Sequence, residues 1–296
     1  MTPDPATEGI DEDASSFRYY RNAVSRHWDP VDVDLTADVD RVADLDAAAF
    51  DSLRRTLALF GAGEEAVTAD LSPLAAVLED VNDQLFVTTQ LYEEAKHAEF
   101  FHRYWTRVVH AAEDRRGLER SDPREDRWFN DAYDELFERN EAAMTRLLTD
   151  DTPENRARAY CHYHLAVEGI LAQTGYYGVQ TAFSGDAEGL PRLPGLVEGF
   201  SRIRSDEGRH VGFGMRKLKA LVAADEVEPS LLHELTGELA MLVQDAVSAA
   251  STADALTIGP DDLAAYAAEK HADRMDQIVN AAADVPDVDT LTRLDE

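Results

Sequence analysis

Two segments of the 296-residue chain share a spacing that suits a transition-metal ion: Glu94-Ala95-Lys96-His97 and Glu207-Gly208-Arg209-His210. Residues three apart on a helix share a face, so one carboxylate and one imidazole can reach the same cation. The spacing alone is weak, since a chain of this composition carries about one Glu-x-x-His by chance. Glu99-Phe100-Phe101-His102 is a third copy. Glu99 follows Glu94 by five residues, roughly 140° around a helix. Both pairs cannot face one core, and the third copy is read as the accidental one.

The first and last copies gain weight from their company. A di-iron or di-manganese bundle takes Glu-x-x-His from each of two helices and one Glu from each of the other two. Glu64 and Glu168 fill those places, in the order Glu, Glu-x-x-His, Glu, Glu-x-x-His. Glu168 lies in the apolar run from His164 to Ala172, where an unpaired carboxylate would cost several kcal/mol. Four carboxylates with only two imidazoles favour iron or manganese over a thiolate-bound zinc. At Glu64 the neighbouring Glu65 leaves a one-residue ambiguity, and a lone Glu64 would read as an acid at a helix start. His164, four residues before Glu168, is a rival ligand. Asp206, directly before Glu207, is a candidate acceptor for the free N–H of a ligating imidazole, that of His97.

The elements that must carry these residues read as helices throughout. Apolar residues recur at helical spacing from about 41 to 60, and Gly61 and Gly63 interrupt the run. A second helix is expected over 64–80, opening at Glu64 and kinked or broken at Pro73. Further helices are expected over 82–116, 125–149, 152–183 (Thr152 capping, Pro153 first), 196–223, 229–255 and 260–283. No alternating strand pattern is present, so the fold class is an all-α bundle. Residues 1–15 read as an acidic disordered N-terminus, 16–283 as the metal-binding domain and 284–296 as an acidic tail.

Composition narrows the partners. The formal net charge is −31, yet 44% of the chain is hydrophobic, which argues against disorder. Lysine occurs only at positions 96, 217, 219 and 270, and the acids are spread along the whole length. Such a surface fits a proteome adapted to high salt, where the Debye length shrinks to about 3 Å at 1 M. It disfavours nucleic acid, whose phosphates would meet like charge. The longest apolar run is too short for a transmembrane helix. The N-terminus lacks the basic and apolar parts of a secretory signal, so a cytoplasmic protein is expected. Cys161, the single cysteine, reads as a buried structural thiol.

The runs Glu64-Glu65-Ala66-Val67-Thr68 and Glu93-Glu94-Ala95-Lys96-His97, Tyr163 with Glu168, and Asp206-Glu207-x-x-His210 resemble the ribonucleotide reductase small-subunit superfamily. The likeness spans about residues 40–280. Within that superfamily it is closest to ligand-binding oxidases that share the fold without reducing ribonucleotides. The resemblance implies a ferritin-like four-helix-bundle core with additional helices and a dinuclear site inside it. Tyrosyl-radical reductase subunits carry a Tyr four residues after the first ligating His; here that residue is Phe101. Some manganese–iron reductase subunits lack it too. Reductase subunits also relay a radical through a C-terminal Tyr, but no Tyr follows Tyr266. No large reductase subunit is therefore expected as a partner.

The oxidases place a Val one turn after the first Glu ligand and a Tyr five residues before the third-helix Glu, positions held here by Val67 and Tyr163. In that family the pair becomes an ether cross-link when the reduced metals meet oxygen. The resemblance further implies one Fe and one Mn (or two Fe), O₂ as co-substrate, two-electron C–H oxidation, a long-chain fatty acid-like ligand and a homodimer. Ala166, Ile170, Leu171, Tyr176 and Phe213 are candidate lining for the ligand. The competing readings are a Mn/Fe-type reductase small subunit and a non-catalytic ferritin-like metal-binding protein.

Overall fold

The computed structural model of the chain describes residues 9–187, 189–250 and 260–293, and among these every regular element is helical. In chain order the helices are α1 (Ser15–Ser25), α2 (Thr36–Ala43), α3 (Ala47–Asp70), α4 (Ser72–Val77), α5 (Val81–Tyr104), α6 (His110–Arg116) and α7 (Asp131–Arg146). They continue as α8 (Pro153–Tyr160), α9 (Gln173–Phe183), α10 (Pro194–Ala223), α11 (Pro229–Ala250), α12 (Pro260–Val279) and α13 (Val288–Leu291). Two π segments, Trp105–Val109 and Cys161–Ala172, join α5 to α6 and α8 to α9 end to end. Short polar side chains set the starts. Asp46 accepts from the Ala49 N–H, Asp80 from Asn82 and Asp83, Asn130 from Tyr133 and Thr152 from Asn155, satisfying donors that the first turn leaves open.

Four rods position the site: α3, α5, the rod running from α8 through the π segment to α9, and α10. α3 lies along α5, and α10 packs against the π segment, α9 and α5; α7, α11 and α12 surround them. The apolar core forms two clusters, one around the π segment, α10 and α11, the other around α3, α5, α9 and the start of α10. Phe86, Phe100, Tyr160, Tyr176 and Phe200 are fully buried there, each phenylalanine contributing roughly 1.5–3 kcal/mol of apolar transfer.

The structure corrects the expected segmentation near Glu64. Gly61 and Gly63 do not interrupt a helix; α3 runs through both, while the actual break falls earlier, between α2 and the Asp46 cap. The glycines serve close packing instead. A Cβ at Gly61 would sit 3.4 Å from the Phe101 Cβ, and one at Gly63 3.3 Å from both the Tyr133 hydroxyl and Phe137. Glu64 is thus mid-helix and not a charge at a helix start. The break expected at Pro73 is present, with α4 beginning at Ser72. Residues 251–255 of the helix expected to end at 255 lie outside the described residues, as do 1–8 and 294–296 of the two termini.

The C-terminal segment lies against α10. Arg216 donates to the carbonyls of Val285 and Pro286 at 3.0 Å, and Thr292 is buried and accepts from Arg26 at 2.8 Å. A Cβ at Gly208 would fall 2.1 Å from the Leu291 carbonyl oxygen, so only glycine fits beneath that strap.

Candidate metal centre

α3 contributes Glu64, α5 contributes Glu94 and His97, the π segment Glu168, and α10 Glu207 and His210; all six side chains are buried. They form two overlapping groups, Glu64–Glu94–His97–Glu207 and Glu94–Glu168–His210, each with its ligand atoms within 4.8 Å of one another. His97 Nδ1 lies 3.5 Å from Glu64 Oε2, 3.4 Å from Glu94 Oε2 and 3.4 Å from Glu207 Oε1. His210 Nδ1 lies 3.1 Å from Glu94 Oε1, 3.4 Å from Glu168 Oε1 and 3.4 Å from Glu207 Oε2. Glu94 and Glu207 therefore turn one oxygen to each side, the arrangement of a bridging carboxylate.

The donor set fits a pair of cations. Glu94 Oε2, Glu168 Oε2, Glu207 Oε2, His97 Nδ1 and His210 Nδ1 are buried polar atoms with no hydrogen-bond partner. Buried polar atoms are otherwise nearly always satisfied. No lysine or arginine pairs with the four carboxylates among the described ion pairs, so two divalent cations would balance their charge. Without cations the cluster holds protons. Burial, aggravated by Glu207 and Glu94 and eased by His97, raises the Glu64 carboxyl to about 8. Burial and then Glu207 push Glu168 well up. At His97 burial works to lower the pKa, but Glu64, Asp206 and Glu207 outweigh it and hold the imidazole well above its ordinary value.

Behind the imidazoles lies a closed polar ring. Asp206 Oδ2 faces His97 Nε2 at 3.1 Å, as expected, and also accepts from Lys96 Nζ and Trp28 Nε1, each at 2.8 Å. Glu93 Oε2 faces His210 Nε2 at 2.9 Å. Arg209 donates to both Glu93 and Asp206, and Lys96 Nζ, 3.9 Å from Glu93 Oε1, closes the ring. Each acid thus supports the imidazole of the other motif helix. Such partners fix ring orientation and raise ligand basicity. Nothing in the spacing of the chain gives Lys96, Arg209 or Trp28 a role. The signal for Glu93 was present, because it precedes Glu94 as Asp206 precedes Glu207.

The remaining candidates separate cleanly. Glu65 is exposed and pairs with Arg124 at 3.1 Å, which leaves Glu64 as the inward residue. His164 is buried outside both groups, with Nε2 3.4 Å from Gln90 Oε1, and burial lowers it to about 3, so it is neutral. Glu99 and His102 are exposed. Phe101 stacks on Phe60 with ring centroids 5.5 Å apart. Tyr163 is buried and its hydroxyl donates to Glu94 Oε1 at 3.0 Å. Cys161 is fully buried, and burial raises its thiol to about 12. Gln90, absent from the sequence reading, donates to Glu168 Oε1 at 2.9 Å.

Glu64, Glu94, Glu168 and Glu207 also line a cavity of about 160 Å³, whose other walls are mostly apolar and include Val67, Phe60 and Val179. Of the expected lining, Leu171 and Tyr176 are in this wall. Ile170 faces a second cavity beside α11 and α12, while Ala166 and Phe213 line neither. Phe213 packs on Phe86 at 4.9 Å instead. For Ala166 and Ile170 the reason is the π segment, whose i→i+5 bonding rotates side chains away from the faces that a 3.6-residue count assigns. Among the described residues no helix is long and apolar enough to cross a membrane.

Residues 12–280 match the family model described as ribonucleotide reductase, small chain. Among solved structures, the chain is similar to an R2-like ligand-binding oxidase with aerobically reconstituted Mn/Fe cofactor. That match has 33% identity and a TM-score of 0.78, and covers 91% of this chain and 94% of the other. A tyrosine-to-phenylalanine mutant of such an oxidase matches at 33% identity and TM-score 0.80, covering 91% and 95%. A glycine-to-phenylalanine mutant matches at 33% and 0.79, covering 91% and 99%.

Proposed function

The chain belongs to the ribonucleotide reductase small-chain family, and we propose that within it this protein is an oxygen-activating oxidoreductase of the R2-like ligand-binding oxidase kind. The observation that carries this reading is the set of partnerless carboxylate and imidazole atoms converging beside an apolar cavity. Glu64, Glu94, Glu207 and His97 would hold one cation, and Glu94, Glu207, Glu168 and His210 the other. When bound, manganese and iron supply the redox chemistry that activates O₂ and oxidises a C–H bond by two electrons.

The protein's own part is placement. Asp206 and Glu93 take up the outer imidazole N–H groups, so that the inner nitrogens stay free as ligands. The apolar cavity suits a long-chain fatty acid-like ligand, its carboxylate toward the glutamates and its tail along Leu171 and Tyr176. Tyr163, held by Glu94, and Val67, one turn beyond Glu64, are the proposed cross-linking pair. In that step the Val67 Cβ–H and Tyr163 O–H bonds break and a Cβ–O bond forms. Two protons and two electrons pass to the O₂ being reduced.

The test is intact mass after anaerobic loading with Fe²⁺ and Mn²⁺ and exposure to air. The expected result is a loss of two hydrogen atoms, mapped to a peptide joining Val67 and Tyr163 and absent in Tyr163→Phe. Unchanged mass together with co-purification of a large reductase subunit would replace this reading with that of a reductase small subunit. Release of many ions per chain would indicate metal storage.

A further inference from the structure

The two sides of the centre nearly mirror each other. Each has one imidazole and an acid behind it, and both share Glu94 and Glu207. Beside the Tyr163 hydroxyl on Glu94 and the Lys96 and Trp28 donors on Asp206, the symmetry is broken at the fourth carboxylate. Glu64 has no side-chain hydrogen-bond donor among its described contacts except His97 at 3.5 Å. Glu168 is different, because Gln90 Nε2 donates to its Oε1 at 2.9 Å and leaves Oε2 without a partner. The same amide nitrogen lies 3.4 Å from Glu94 Oε1.

We propose that Gln90, oriented by His164, is a positioning residue that fixes the Glu168 carboxylate through Oε1, the oxygen that also faces His210 Nδ1, so that the cation position beside His210 and the one beside His97 become unequal. The inference rests on the reading of the cluster as a two-cation centre.

The orientation of the amide is itself built in. Gln90 is fully buried, and its two ends are told apart only by their partners. His164 Nε2 faces Gln90 Oε1 at 3.4 Å, while His164 Nδ1 has no partner. The single imidazole proton therefore finds a use only on Nε2, where it donates to the amide oxygen. That leaves the amide nitrogen directed at Glu168 and Glu94; the flipped amide would set its oxygen against two carboxylates. Room for the imidazole comes from α10, where a Cβ on Gly214 would lie 2.3 Å from the His164 Cβ.

A tied carboxylate is held in one rotation about its side chain, whereas Glu64, without such a donor, is free to turn. Removing a hydrogen-bond partner of a ligand typically lowers metal affinity about 10–100-fold. The test is anaerobic titration of the full chain with Mn²⁺ alone, the unbound ion counted by its EPR signal. In Gln90→Leu one of the two bound equivalents should weaken at least about tenfold while the other stays at the wild-type value. His164→Phe, which cannot donate, should give the same selective loss, and the double variant should be no worse than either single one. Gln90→Glu, close in shape but without the N–H donor, keeps the test open if the leucine variant does not fold. Two wild-type equivalents that are unchanged in all folded variants, or equally weakened in both sites, overturn the role of Gln90. A wild-type chain that fails to hold two equivalents overturns the two-cation reading beneath it.

Discussion

At the scale of single residues, the metal-free centre is a proton store. Burial lifts Glu64 to about 8 and raises Glu168 in the same direction, whereas an unfolded glutamate titrates near 4.3. Both bind protons more tightly in the folded chain. Their contribution to stability is complete below the unfolded value and is lost as pH rises through the folded one. His97 and His210 are also raised, so they act in the same sense, from about pH 6.5 upward. Glu94 and Asp206, held low, act oppositely but only in acid. We expect the melting temperature of the metal-free protein to fall between about pH 5 and 8. The cation-loaded protein should vary less, since cations displace those protons. Calorimetry of both forms across that range checks this, and parallel curves would refute it. Helical spacing makes Glu94 with His97 and Glu207 with His210 legible as pairs, while Glu64 and Glu168 need the four-helix pattern and Glu64 stays open against Glu65. Glu93 is legible by its likeness to Asp206; Gln90 is not, because its partner Glu168 lies on another rod.

At the scale of elements, α10 carries ligands on one face and the C-terminal strap on another. Gly208, between Glu207 and His210 in sequence, faces the strap, and the Leu291 carbonyl rests on it. Gly208→Ala should lift the strap, at a cost of about 1–3 kcal/mol for the overpacked contact. The expected outcome is a lower melting temperature and faster proteolytic trimming after Val279; unchanged trimming would show that the strap yields without detaching. The bundle and the order of its rods could be read from periodicity and capping. Gly61 and Gly63 misled because a glycine's packing role depends on a neighbour, here Phe101 and Tyr133, that local sequence does not reveal. The π segment was equally hidden, since its winding shows no composition signal, and with it went the faces of Ala166 and Ile170.

At the scale of the whole molecule, 59 acidic residues against 28 lysines and arginines set a surface that repels itself. Raising salt from 0.1 M to 1 M shortens the Debye length from about 10 Å to about 3 Å. We therefore expect the melting temperature to rise with KCl over that range, as measured by calorimetry at fixed pH. A salt-independent value would mean that the acids are already balanced locally. This property needed no structure, because net charge survives any arrangement of the chain, whereas the apolar cavity beside the carboxylates exists only through packing.

The crossed support of the imidazoles, Asp206 behind His97 and Glu93 behind His210, has a consequence for inheritance. The partners lie 109 and 117 residues apart in the chain. Neither motif helix is a self-sufficient module: a segment encoding α5, recombined into another bundle, would arrive with an imidazole lacking its acceptor and an acid lacking its imidazole. Drift at Glu93 or Asp206 is consequently answerable to selection on the distant helix, and the two halves of the centre are transmitted together or not at all.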